Sequence, residues 1–259
     1  MSGCSVVICH GGAGHTAKDQ PGVEAAADAA WALLESGADA LEAAVAAVES
    51  MENDPALNAG TGSCLRDDGS IQMDAIAAVG EGRFGAVMAL QDRANPVNIA
   101  RLVLEQEFNI LAGAGAGDFA TSRGFPPQDV EGRARKDAGD TVGALVLDNR
   151  GRIAAASSTG GCTGRPAGRV GDTPLWGSGL WCDEQTAVTA TGIGEAIMEK
   201  VLCFRVAESI KQPSNTLENA LEWGLSLFDE SIQIGIIALT VDGDAFGLAN
   251  TGMPWTLRR

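Results

Sequence analysis

The sequence of 259 residues contains no tyrosine, and aromatic residues make up only 5% of it. A surface that binds single-stranded nucleic acid by base stacking needs exposed rings, so that class of function is poorly served. Lysine is scarce, occurring only at positions 18, 136, 200 and 211, and 18 Lys and Arg stand against 34 Asp and Glu. With a formal charge of −16 and no clustered cations to neutralise phosphates, no nucleic-acid partner is expected. The plain reading of that charge is a soluble, self-repelling surface, and a high-salt cytoplasm is one setting that suits it. None of the six cysteines forms a Cys-x-x-Cys pair, which argues against a zinc ribbon or a thioredoxin-like site and for free thiols in a reducing cytosol. The start of the chain has no basic region followed by a long apolar run, and no stretch is long and apolar enough to span a bilayer. The expectation is a cytoplasmic protein without a membrane partner.

What is present is glycine, 34 residues of it, in a chain that is 45% hydrophobic with a mean hydropathy of +0.06. This length supports one large domain able to enclose a site. Residues 5–9 form an apolar run that enters His10-Gly11-Gly12-Ala13-Gly14, a strand leading to a tight turn. Residues 23–48 read as two helices split at Gly37, the second with Asp39 and Glu42 at capping-box spacing. A loop over residues 53–62 is followed by strands over 71–79 and 84–90, then a helix from Pro96 to about Glu107. The segment from about 113 to 140 lacks apolar periodicity and reads as a linker, with at most a helical turn at 119–122. Beyond it come a hairpin around Asn149-Arg150-Gly151 and a strand over 187–191. Helices follow over 194–209 and 216–228, the latter with Asn215 and Glu218 at capping spacing. A hairpin around Asp242-Gly243-Asp244 is read as closing the chain.

Antiparallel hairpins in two groups, with helical pairs between and after them, argue against a doubly wound parallel sheet. Two sheets covered by helices is the economical arrangement, an α+β protein.

The chemistry centres on Gly139-Asp140-Thr141-Val142-Gly143, where a polar segment ends at a threonine that opens a buried strand. Alone, Thr141 is an ordinary β-branched strand residue. Three motifs follow it: Ser158-Thr159-Gly160-Gly161, Gly168-Arg169-Val170-Gly171-Asp172, and Ala190-Thr191-Gly192-Ile193-Gly194-Glu195. With His10-Gly11-Gly12-Ala13-Gly14 and Asn58-Ala59-Gly60 before it, this order resembles the plant-type asparaginase and isoaspartyl peptidase family, over about residues 5–253.

That resemblance implies a four-layer αββα sandwich, the N-terminal nucleophile hydrolase fold. It also implies a precursor that cuts its own Asp140–Thr141 bond, giving an α subunit over 1–140 and a β subunit over 141–259. The cut frees the α-amine of Thr141, whose ordinary pKa is about 7.7–8.0, as a base for the residue's own hydroxyl. No histidine is then required, in keeping with a chain whose only two are His10 and His15. By the same resemblance Thr159 orients the nucleophile and Asn58 supports it. Arg169 and Asp172 grip a substrate α-carboxylate and α-ammonium, with Gly194 offering a carbonyl. Thr191 and Gly192 form the oxyanion hole. The backbone carbonyls of Met51, Glu52, Asp54, Leu57, Ala59 and Thr61 match a structural Na+ loop, oxygen ligands suited to a hard cation. His10 is read as architectural. A homodimer of cleaved protomers is implied, with no cofactor for catalysis.

The implied activity is hydrolysis of L-asparagine or of β-aspartyl dipeptides. Alternatives are an uncleaved binding protein, a glycosylasparaginase, and a nucleotide-binding module suggested by Gly192-x-Gly194 before a helix. The last lacks the third glycine of the dinucleotide fingerprint.

Overall fold

The computed structural model describes residues 4–14, 16–134 and 141–259, so Asp140 of the expected cleavage site lies outside the described residues. Strand β1 (Val6–His10) is buried along its whole length. A 3-10 turn capped by Thr16 leads into helix α1 (Gln20–Glu35), and Gly37, at φ +93°, separates it from α2 (Ala40–Glu52). Asp39 caps α2 by accepting the Glu42 N–H at 2.9 Å. Strands β2 (Met73–Val79) and β3 (Arg83–Leu90) form the expected hairpin, and Pro96 opens α3 (Pro96–Leu104).

The segment read as a linker begins differently. After a short strand β4 (Ile110–Ala112), residues 113–122 form helix α4 (Gly113–Ser122). Three glycines disfavour a helix here. Packing overrides them, because Ala116 and Ala120 are buried in the core and Arg93 donates to Gly117 O at 2.9 Å and Thr121 Oγ1 at 2.8 Å.

Strands β5 (Val142–Leu147) and β6 (Ile153–Thr159) form the second hairpin, followed by β7 (Leu180–Cys182) and β8 (Thr186–Gly192). The helix expected over 194–209 is two, α5 (Gly194–Lys200) and α6 (Leu202–Ile210), broken at Val201 with φ +49°. The break has a cause: the N–H groups of Cys203 and Phe204 donate to Ser178 O and Gly177 O instead of to the preceding turn. Helix α7 (Leu217–Ser226) is capped by Thr216, not Asn215, whose amide donates to Ser209. After the hairpin of β9 (Ile234–Thr240) and β10 (Ala245–Ala249), the chain adds an unanticipated strand, β11 (Trp255–Arg258), against β1.

One sheet has the order β11-β1-β5-β6-β2-β3-β4 and the other β10-β9-β8-β7. Only the β3–β4 pairing is parallel among these strands. The parallel βαβ context that a dinucleotide site needs is missing around Gly192. The core divides by strand alternation. Val7 and Cys9 face a cluster with α1–α4, while Val6 and Ile8 face one shared with Leu180, Ile237 and Leu239 of the smaller sheet. Ile234, Ile236 and Ala238, on the other face of β9, pack with Val206 and Leu221 of α6 and α7. The architecture is mixed α+β, and no described helix is long and apolar enough to cross a membrane.

Candidate active site

Thr141 sits at the head of β5, one residue before the Val142–Ser158 pair, which brings it level with Thr159 at the end of β6. Both are buried and line one narrow cavity with Arg169, Asp172, Gly192 and Gly194. Motifs scattered over more than fifty residues thus converge at one end of the paired sheets.

The nucleophile candidate is held at both polar atoms. Thr141 Oγ1 lies 3.0 Å from Thr173 Oγ1, and the Thr141 N–H donates to Thr191 Oγ1 at 3.2 Å. Thr191 Oγ1 also accepts the Ala13 N–H, at 3.0 Å. Thr159 Oγ1 accepts the Gly161 N–H at 3.0 Å. Asn58 lies behind this turn, donating to Gly161 O at 2.7 Å and accepting the Cys64 N–H at 2.9 Å. Gly192, at φ +135°, must be glycine, because a Cβ would run into the Gln233 carbonyl.

Arg169, in the same cavity, makes a two-pronged contact with Glu195: Nε to Oε1 at 3.1 Å and Nη2 to Oε2 at 2.8 Å. Burial works against the guanidinium charge, but Glu195 outweighs it and keeps the Arg169 pKa above its ordinary value. Asp172 is buried, and its Oδ2 has no hydrogen-bond partner. Burial raises its pKa to about 7, with Arg169 opposing and Glu195 and Asp74 reinforcing the shift. A Cβ on Gly194 would come within 2.7 Å of Asp172 Oδ1, so the glycine leaves the carboxyl its space.

His10 lies beneath Thr141. Its Nε2 is 2.9 Å from Thr189 Oγ1 and its ring seats against Gly143, where a Cβ would meet Nε2 at 2.5 Å. Burial lowers its pKa to about 3, against the influence of the Thr141 backbone, so the ring is neutral and bridges the two sheets. In the 51–61 loop, the carbonyls of Met51, Glu52 and Asp54 accept N–H groups from Asp54, Thr61 and Leu57. Gly60, at φ +51°, lets the Glu52 and Ala94 carbonyls converge beside it. This donor set fits a hard cation of low charge. Among the described residues no group of three or more His, Cys, Asp or Glu forms a metal cluster.

Sequence reading missed two members of this site. Thr173 directly follows Asp172, but nothing in a Gly-Asp-Thr-Pro run marks its hydroxyl as the partner of Thr141. Glu195 stood inside a recognised motif, and only the fold aims it at Arg169.

A buried threonine sharing one cavity with Arg169 and Asp172, on a two-sheet frame, belongs to a chain with clear relatives. The sequence profile of the family described as asparaginase matches residues 3–138 and 126–258. An isoaspartyl peptidase/L-asparaginase of Danio rerio is 40% identical over 258 residues, covering 88% of this chain and 82% of its own. Those of Homo sapiens and Bos taurus are 34% and 37% identical, each over 96% of this chain and 91% and 92% of their own. The protein is a hydrolase belonging to the asparaginase family.

Proposed function

We propose that the protein is a self-processing threonine amidohydrolase that releases aspartate from L-asparagine, from β-aspartyl dipeptides, or from both. The observation that carries this reading is the double hold on Thr141, whose hydroxyl and nitrogen each contact a second threonine inside the cavity that contains Arg169 and Asp172. The names of the relatives and the family membership support the substrate class.

In the precursor, Thr141 Oγ attacks the carbonyl carbon of Asp140, and the C–N bond breaks as the acyl group passes from nitrogen to oxygen. Water hydrolyses the resulting ester, leaving a carboxylate on Asp140 and a free α-amine on Thr141. The amine then takes the proton of the Thr141 hydroxyl as that oxygen attacks the substrate side-chain amide. The charge developing on the carbonyl oxygen meets the Thr191 hydroxyl and the Gly192 N–H. The protonated amine gives its proton to the leaving nitrogen, and water cleaves the aspartyl ester. Arg169 and Asp172 hold the substrate by its α-carboxylate and α-ammonium, groups common to asparagine and β-aspartyl peptides.

The finer architecture belongs to the same proposal: a four-layer αββα sandwich of one domain, cut into 1–140 and 141–259, supported by the three separate core clusters. Na+ held by the 51–61 carbonyls is structural and takes part in no step. We further infer cleaved protomers paired as a homodimer.

Denaturing electrophoresis with N-terminal sequencing, alongside assays on both substrates, tests the reading. Two fragments, one beginning at Thr141, with release of aspartate are expected. A persistent full-length chain that binds aspartate without turnover would make it a binding protein instead.

A further inference from the structure

Two guanidiniums lie at this site, and the mechanism above uses only one. Arg66 is 3% exposed, in a loop with no regular secondary structure. Its Nη2 donates to Gln72 O at 2.8 Å, while Nε and Nη1 are buried with no hydrogen-bond partner. The guanidinium lies flat against Gly161, where a Cβ would come within 2.6 Å of Nη1 and 2.7 Å of Nη2. Gly161 lines the catalytic cavity and supplies both the N–H to Thr159 and the carbonyl to Asn58. Arg169 is seated in a parallel manner on Gly171, whose Cβ would approach Nη1 at 2.9 Å.

Within electrostatic reach of both arginines is Asp74, fully buried on β2 and paired in register with Thr159. Its Oδ1 accepts the Ala89 N–H at 2.8 Å. Its Oδ2 completes no hydrogen bond of good geometry, although the Gly171 N–H is close enough to favour its charge. Burial raises the Asp74 pKa to about 6, and the Ala89 N–H, Arg66, the Gly171 N–H and Arg169 oppose that rise. The Arg66 pKa is lowered by burial, raised by Asp74 and lowered by Arg169. Asp172 is in turn acted on by Arg169, Glu195 and Asp74.

We propose that Arg66 is a positioning residue: seated on Gly161, its guanidinium offsets the buried Asp74 carboxylate and so spares Arg169, beyond its contact with Glu195, to hold a substrate α-carboxylate. Without it, Asp74, Asp172 and Glu195 share a single cation, and Arg169 is drawn back from the substrate. This inference rests on the amidohydrolase reading for its kinetic consequence, and on the buried charge cluster alone for its electrostatic one.

The test uses the fully processed protein and its Arg66→Met, Arg66→Lys and Arg66→Met/Asp74→Asn variants. KM for L-asparagine in Arg66→Met should rise about tenfold near pH ~8.5, where Asp74 is ionised, with kcat within about threefold of the parent. The penalty should shrink towards pH ~6 as Asp74 takes up a proton. Arg66→Lys should keep most of the parental KM, and the double variant should recover it. A parental KM in Arg66→Met, a double variant no better than the single, or a lysine variant as impaired as the methionine one would each overturn the proposal. Arg66→Gln replaces the methionine variant should that one not fold. Carboxyl 13C NMR reads the same pair without activity: the Asp74 midpoint should move up when Arg66 is replaced, and an unmoved midpoint overturns the pairing. If the parent hydrolyses neither substrate, the functional reading fails, and this titration still decides the role of Arg66.

Discussion

Thr141 and Thr191 meet across the two sheets, and the contact runs from the Thr141 nitrogen to the Thr191 hydroxyl oxygen at 3.2 Å. Because Ala13 donates to the same oxygen, both Thr191 lone pairs are taken, and its O–H is left to act as a donor. The amine freed by cleavage would therefore already be anchored, beside a hydroxyl that has only a proton to give.

Thr191→Val should retain the fold and the strand position while removing that donor. Loss of one oxyanion donor lowers kcat by about 10²–10³, and KM should change far less. Steady-state kinetics on fully processed protein check this, and a kcat within about threefold of the parent assigns the donor elsewhere.

Thr141→Ala should abolish both the chain cut and hydrolysis, since both need one hydroxyl. Thr141→Ser should retain part of each, as it loses only the methyl group. Fragment mapping and an aspartate-release assay read the two outcomes independently.

Glu195→Gln keeps the shape of the Arg169 partner but removes its charge. Arg169 would then wander, and KM should rise about three- to tenfold with kcat little changed, a modest effect because the Glu195 side chain is 45% exposed. Arg169→Lys should be worse, as an ammonium cannot reproduce the fork. Chain cutting should survive both changes, which electrophoresis would show.

The fold was legible where one period and one turn signal coincide. The β5–β6 and β9–β10 hairpins carry unbroken apolar runs around glycine turns, and each formed as read. Strands β7 and β11 span only three and four residues, too short for alternation to stand out. The break at Val201 was invisible because a β-branched residue in the left-handed region contradicts local preference, and only the Gly177 and Ser178 carbonyls hold it there. Motifs exposed the residues expected to touch substrate. They concealed Thr173 and Glu195, whose contacts come from what they face across the fold.

The Asp172 pKa of about 7 has a kinetic signature. Its ionised form should attract the substrate ammonium, so binding weakens as pH falls through that value. The Thr141 amine must also be unprotonated, with an ordinary pKa of about 7.7–8.0. The acid limb of log kcat/KM should therefore steepen towards a slope of about two below pH ~7, whereas a slope of one would mean that only one of these groups governs the limb.

Glu52 should affect stability rather than turnover. Its carboxyl is fully buried, with Oε1 accepting the Val97 N–H at 3.0 Å, and burial raises its pKa to about 8 despite the nearby Ser158 hydroxyl and Val97 N–H. The folded state thus holds a proton that the unfolded chain gives up at an ordinary carboxyl pKa of about 4.3. The stability this confers is complete below the unfolded value and is lost as pH rises through about 8. Glu52→Gln keeps the Val97 acceptor and has no proton to lose. Its melting temperature should match the parent in acid and exceed it by a few degrees in alkali. Parallel melting curves across the pH range would contradict this.

The order of the larger sheet would give the proposed cut at Thr141 a mechanical meaning. Strand β1, which precedes Thr141, is clasped between β11 and β5, which follow it, and β6 pairs across the same point with β2. Cut there, the two pieces would be spliced like strands of rope, and neither could leave without stripping three seams of backbone hydrogen bonds. Once denatured, they must find each other again by collision, whereas the uncut chain needs only to close its own loops. Renaturation of the mature protein should therefore depend on concentration, while that of an uncut Thr141→Ala chain should not. A molecule so cut would be assembled once and would thereafter persist by the slowness of its unravelling.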